Sequence, residues 1–220
     1  LLQTEMSIKE AVKALFGRPV MNGAYRDREL MSGVKLAEWC DVSEEDWQRS
    51  EEWLRRKPDG KRVVWLVCNF SHIFGGVFTI LRIADHLQAH GYDSIIAVYD
   101  DPQFRIGDRY KLVSEYFPHL KESSFTTMEG MGKPDVAVAT FWPSCYHLLK
   151  LDCKKAYLVQ DCEPLFYQAG TAYALCEHTY RMPFDRLFNT GGLMEHISRC
   201  YSAKGRDGCF TPAVDGRYKF

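Results

Sequence analysis

The sequence predicts an α/β fold, a Rossmann-like parallel sheet flanked by helices, with a helical extension at the N-terminal end. Three observations predict it. Runs such as Val63-Val64-Trp65-Leu66-Val67-Cys68 are apolar throughout and of strand length, the pattern of strands covered on both faces in parallel sheets. Between these runs, apolar residues recur at helical spacing. Glycine or proline stands where a strand end must turn into a helix.

Taken in order, residues 1–60 are charged and helical in pattern. Ser7-Ile8-Lys9-Glu10 fits a capping box opening a short helix that stops before Gly17 and Pro19. Ser43-Glu44-Glu45-Asp46 opens a second helix, with Trp47 and Leu54 on one face, and Pro58-Asp59-Gly60 closes the zone as a turn. Trp39, Trp47 and Trp53 are expected to pack this extension on the main domain. Residues 61–220 form that domain. After the strand at 63–68, Val77, Ile80, Leu81, Ala84 and Leu87 predict a helix ended by Gly91. Strands follow at 94–99, 135–140, 156–160, 186–188 and 208–210. Helices are predicted around Asp108 to Tyr116, from Pro143 to Lys150, from Thr171 to Arg181 and from Gly192 to Cys200. Ligands of such sheets bind beyond the carboxyl ends of the strands, so the informative loops are 69–76, 140–143, 160–170 and 189–192.

Composition narrows the function classes. A chain of 220 residues with 46% hydrophobic and 26% charged residues has ordinary globular composition, which excludes disorder. A net charge of −1 without a basic block disfavours nucleic acid as a partner. The eight cysteines form no tight framework, no CxxC and no Cys/His spacing suited to zinc, so they read as free thiols, which suits a reducing cytoplasm. No signal peptide and no apolar run of about 18 residues occurs. The start at Leu1-Leu2, without Met, is expected of a piece cut from a longer protein.

Two loops carry the candidate chemistry. In Asn69-Phe70-Ser71-His72-Ile73-Phe74-Gly75-Gly76, two glycines open a helix directly after the first strand. Glycine admits close backbone approach and a helix N-terminus offers free N–H groups to an anion, so Gly75 and Gly76 are a candidate phosphate loop and equally a plain turn. It is not GxGxxG, which speaks against a dinucleotide site and against an oxidoreductase or methyltransferase. His72 is a candidate base, although a lone histidine more often only hydrogen-bonds. In Gln160-Asp161-Cys162-Glu163-Pro164-Leu165-Phe166-Tyr167, two carboxylates stand at a strand end ahead of aromatics. A carboxylate can orient or deprotonate a sugar hydroxyl and an aromatic face can stack on a sugar ring. Asp161 or Glu163 could also simply cap a helix. Thr140 and Trp142 end the strand before, where Trp142 is either an acceptor wall or a core aromatic. Asn189-Thr190-Gly191-Gly192 repeats the strand-to-helix glycine turn.

Four segments in this order resemble bacterial glycosyltransferases of family 4, and most of all rhamnosyltransferases of surface and S-layer glycan synthesis. They are Phe74 to Arg82 with Ala84-Asp85, Ala139 to Trp142, Gln160 to Tyr167, and Thr211-Pro212-Ala213-Val214-Asp215. The resemblance spans roughly Val63 to Phe220. It implies the N-terminal, acceptor-side domain of a GT-B enzyme. Gly75 and Gly76 would then approach the donor phosphates or sugar. Asp161, Glu163 and His72 would be the catalytic candidates, with Thr140, Trp142 and Tyr167 on the acceptor side. It further implies a saccharide acceptor, a nucleotide-sugar co-substrate such as dTDP-rhamnose held by a C-terminal domain beyond Phe220, no cofactor and no bound metal. The family's paired C-terminal glutamates and basic donor-binding residues are not in this stretch, so the stretch alone is expected to be inactive or very weak. The expected location is cytoplasmic, peripheral at the inner membrane face through a lipid-linked acceptor. A non-catalytic saccharide-binding or scaffolding module is the alternative.

Overall fold

A computed structural model describes residues 39–101 and 105–211. The capping box at Ser7 and the residues of the Thr211–Asp215 segment after Thr211 lie outside them. Helix α1 (Glu44–Arg55) starts on a complete capping box. The Ser43 hydroxyl accepts from the Asp46 N–H at 3.1 Å, and the Ser43 N–H donates to the Asp46 carboxylate at 3.0 Å. Then follow β1 (Arg62–Val67), α2 (Gly75–Ala89), β2 (Asp93–Val98), α3 (Ile106–Val113), β3 (Phe125–Thr127), β4 (Val136–Ala139), α4 (Trp142–Leu149), β5 (Lys154–Val159), α5 (Thr171–Thr179), β6 (Asp185–Phe188), α6 (Gly191–Cys200) and β7 (Asp207–Cys209).

The seven strands form one sheet in the order β3-β2-β1-β4-β5-β6-β7, and every pairing is parallel. This is the Rossmann-like sheet expected from the sequence. The chain first adds strands on one side of β1 and then, from β4, on the other. The switch point is therefore between β1 and β4, and the crevice for a ligand opens above their carboxyl ends.

The strands lack alternation because both faces are covered. On one face Val63, Trp65, Val67, Ile96, Val98, Val138 and Leu158 pack against Val77, Ile80, Leu81 and Ala84 of α2, with Val113, Phe117 and Leu120 behind them. Residues of opposite parity, including Leu66, Ala137, Ala139 and Tyr157, are buried on the other side. There α4 and α5 contribute Trp142, Cys145, Tyr146, Leu149, Cys176 and Tyr180 to the core. Each fully buried aliphatic side chain contributes about 1.5–3 kcal/mol, and Leu66, Val64 and Leu158 have no exposed surface at all. All eight cysteines are free.

Helix α1 lies along the amino ends of the strands, away from the crevice. The Ser50 hydroxyl donates to the carbonyl of Leu149, the Trp53 indole N–H to Asp152 at 2.7 Å, and the Lys154 ammonium to the carbonyl of Leu54. The Trp47 ring packs on His178 at 5.7 Å. Strand β3 is the one strand not predicted. It has three residues, one neighbour and a single buried side chain, Phe125, too little for a periodic signal.

Candidate functional site

Three strand-to-helix connections meet above the switch point. The first leaves β1. Asn69 is buried and gathers the carboxyl ends of β1 and β2. Its N–H donates to Asp100, its side-chain amide to Asp101, and its carbonyl oxygen accepts from Arg109 of α3 at 3.1 and 3.2 Å. The loop then exposes His72, whose ring lies 3.2 Å from the Ser71 hydroxyl and 5.7 Å from the Phe74 ring. Helix α2 begins at Gly75, where an added Cβ would meet nothing within 4 Å. At Gly76 it would meet the Gln160 side chain at 3.3 Å. The two glycines thus play different parts. Gly76 seats α2 against the loop after β5, while Gly75 faces open space.

The second connection leaves β4. Thr140 is buried, its hydroxyl donating to the Leu66 carbonyl at 2.7 Å and its N–H to Ser144. Trp142, the first residue of α4, is 1% exposed. Its ring makes edge contacts with Tyr146 and Tyr167, and its indole N–H donates to the Tyr167 hydroxyl at 2.8 Å. Trp142 therefore fixes Tyr167 and offers no open face. Tyr167 is itself half-buried.

The third connection leaves β5 and separates the two carboxylates. Asp161 is exposed, and one of its oxygens accepts from the Cys162 N–H at 2.7 Å. Glu163 is 3% exposed, and its carboxyl accepts from the Trp142 N–H at 2.8 Å, capping α4 from another element. Burial pushes the Glu163 carboxyl up to about 8, although the Trp142 N–H favours its charged form. The fully buried Tyr157 hydroxyl adds to that field without completing a hydrogen bond of good geometry. Tyr180 of the α5 terminus latches the loop. Its hydroxyl accepts from the Glu163 N–H at 3.0 Å and donates to the Asp161 carbonyl at 3.1 Å. Burial and the neighbouring Glu163 push the Tyr180 phenol well above its ordinary value, so it stays protonated and able to donate.

The structure thus brings Gly75, Gly76 and the loop of Asp161 together at the carboxyl ends of β1 and β5, where Phe74, Leu165 and Phe166 on the same two loops are exposed. Glu163, Trp142 and Thr140 lie beneath as its support. Sequence reasoning missed Tyr180 and the Asn69 network. Asp100-Asp101 at the end of β2 was an available signal for the latter, whereas nothing local marks Tyr180. Among the described residues no His, Cys, Asp and Glu cluster could hold a metal ion, and no helix is long and apolar enough to cross a membrane.

Fold and crevice define a Rossmann-like α/β domain with its ligand-facing edge at a parallel-sheet switch point. No family model matches the sequence. An alignment of 215 positions that covers 89% of the chain is 34% identical to the O-antigen biosynthesis protein RfbC of Myxococcus xanthus, and the two are homologous over that stretch. The chain spans 16% of the length of that curated relative.

Proposed function

We propose that this chain is the acceptor-side domain of a GT-B glycosyltransferase that builds a surface polysaccharide. The observation that carries the reading is the shared crevice, where Gly76 abuts Gln160 and so brings the open helix N-terminus at Gly75 next to the loop of Asp161. Homology to a protein named for O-antigen biosynthesis supports the substrate class. The resemblance to family 4 enzymes supports a nucleotide-sugar donor, with dTDP-rhamnose the first to try. A second domain of the whole protein would hold the nucleotide.

In this reading the acceptor hydroxyl attacks the anomeric carbon, the bond to the nucleoside diphosphate breaks, and the diphosphate leaves with its electron pair. Asp161, the exposed carboxylate, takes the hydroxyl proton. The free N–H groups at the start of α2 stabilise charge growing on the departing phosphate. Glu163, buried and bonded to the start of α4, acts as a positioning residue.

The test is turnover of a nucleotide-sugar panel by the full-length protein, read as nucleoside diphosphate release in the presence of saccharide acceptors. Asp161→Asn is expected to lower kcat by about 10²–10⁴-fold with the melting temperature unchanged. A folded Asp161→Asn protein at near wild-type rate removes the proposed base. Saccharide binding without turnover of any donor would instead make this a binding module.

A further inference from the structure

A second site lies at the opposite edge of the sheet. A cleft of about 420 Å³ opens there between α1, which contributes Glu51, Leu54 and Arg55, and the turn before β7, which contributes Lys204, Gly205 and Arg206, with Asp185 of β6 between them. Its walls are fixed. A Cβ on Gly205 would lie 2.3 Å from the Phe184 carbonyl oxygen, so only glycine lets this turn press onto the start of β6. Lys154, with its side chain 9% exposed, ties the α1 carbonyl of Leu54 to Asp185 at 3.0 and 3.1 Å.

The charges in this cleft do not balance. The lining carries three cations, Arg55, Lys204 and Arg206, against two carboxylates, Glu51 and Asp185, and Asp185 is also engaged by Lys154 from beneath, in a chain whose net charge is −1. Glu51 pairs with Lys204 at 3.1 Å, and Asp185 is shared by Lys154 and Arg206, both at 3.1 Å. The Arg55 side chain makes no hydrogen bond or ion pair to any described residue, although its charge is felt by Glu51. Exposed pairs of this kind are weak, so Lys204 and Arg206 can turn part of their donor capacity to a stronger anion. Leu54 is the one apolar side chain in the lining, which disfavours an apolar ligand.

We infer that the cleft between α1 and the β6–β7 turn binds a phosphate group, whose negative charge offsets the cationic excess of the lining. Arg55 and Arg206 would supply forked donors and Lys204 a point charge. The ligand is a soluble phosphorylated compound or a phospholipid headgroup. The site is separate from the crevice and does not depend on the glycosyltransferase reading.

The test is local, because other parts of the full-length protein can bind phosphate. Acylation of Lys204 is followed by mass spectrometry in full-length protein titrated with pyrophosphate, with exposed Lys111 as reference. Pyrophosphate is expected to protect Lys204 and not Lys111, and Arg55→Ala and Arg206→Ala are each expected to raise the half-protecting concentration by about tenfold. Lys204 reactivity unchanged by millimolar pyrophosphate overturns the site, as does equal protection in both variants and the wild type. Protection by phosphatidic acid vesicles, and not by phosphatidylcholine vesicles, assigns the headgroup. Protection by pyrophosphate alone assigns a soluble ligand.

Discussion

Asp161 and Glu163 stand two residues apart and meet opposite environments, one in solvent and one beneath the crevice. The difference has a measurable consequence. Glu163 has an ordinary value of 4.5 and is pushed up to about 8 in the fold, so between those limits the native state holds the extra proton. The stability linked to Glu163 is complete below about 4.5 and is lost as pH rises through about 8. His147 acts in the opposite sense, because burial pulls it from 6.5 to about 4, but its effect is over by pH 6.5. Raising the pH from about 6.5 to about 7.5 stays below the Lys155 ammonium, which burial pulls down to about 8, so Glu163 dominates that window and unfolding free energy is expected to fall by roughly 1 kcal/mol. Urea midpoints at the two pH values measure this, and Glu163→Gln should flatten the decline. A slope unchanged in the glutamine variant would put the proton on another group. The sequence offered both carboxylates on equal terms. The partners that tell them apart, the Trp142 N–H and the Tyr180 hydroxyl, arrive from other elements.

At the scale of elements, a chain of buried hydrogen bonds links the far end of the sheet to the crevice. Asp207 of β7 takes two bonds from Arg186 of β6, at 2.8 and 2.7 Å, and Arg186 also donates to the carbonyls of Tyr180 and Tyr201. Tyr180 in turn holds the loop of Asp161 and Glu163. Arg186 has a side chain 1% exposed, so Arg186→Met leaves the buried carbonyls of Tyr180 and Tyr201 without this donor, while Asp207 keeps the Ser198 hydroxyl and its contact with solvent. The expected loss is about 2–4 kcal/mol, or a melting temperature lower by roughly 10 °C in a thermal scan. Tyr180→Phe keeps the ring stacked on Tyr157 and removes only the hydroxyl. It should cost about 1–3 kcal/mol through the unsatisfied Glu163 N–H and, if the proposed glycosyl transfer holds, lower kcat more than it raises KM. A full-length Tyr180→Phe variant with wild-type kcat would separate the latch from the proposed activity. The elements themselves were largely legible. Strands β1, β2, β4 and β5 announced themselves because burial on both faces demands unbroken apolar runs, whereas β3 is an edge too short to leave a pattern.

At the scale of the molecule, the two ends of the sheet differ in character. Three of the large exposed hydrophobic residues, Phe74, Leu165 and Phe166, stand at the carboxyl end around the crevice, with Leu165 74% exposed. The amino end carries α1 and the cationic cleft. If the crevice takes a saccharide, replacing Leu165 and Phe166 together by serine should raise KM for the acceptor by about tenfold. As surface changes they should leave stability within about 1 kcal/mol. Initial rates against acceptor concentration decide it, and an unchanged KM would take these side chains out of acceptor binding.

The sequence by itself determined the class of fold and which loops stand at the carboxyl ends of the strands. Both follow from local patterns: apolar runs for doubly covered strands, helical periodicity between them, and glycines where chain direction changes. Only the tertiary structure decided which residues of those loops reach solvent. Glu163, Trp142 and Thr140 became support, while Asp161 and Gly75 stayed open. The physical reason is that exposure and proton affinity depend on atoms brought from distant parts of the chain, such as Tyr180 beside Glu163 and Gln160 beside Gly76.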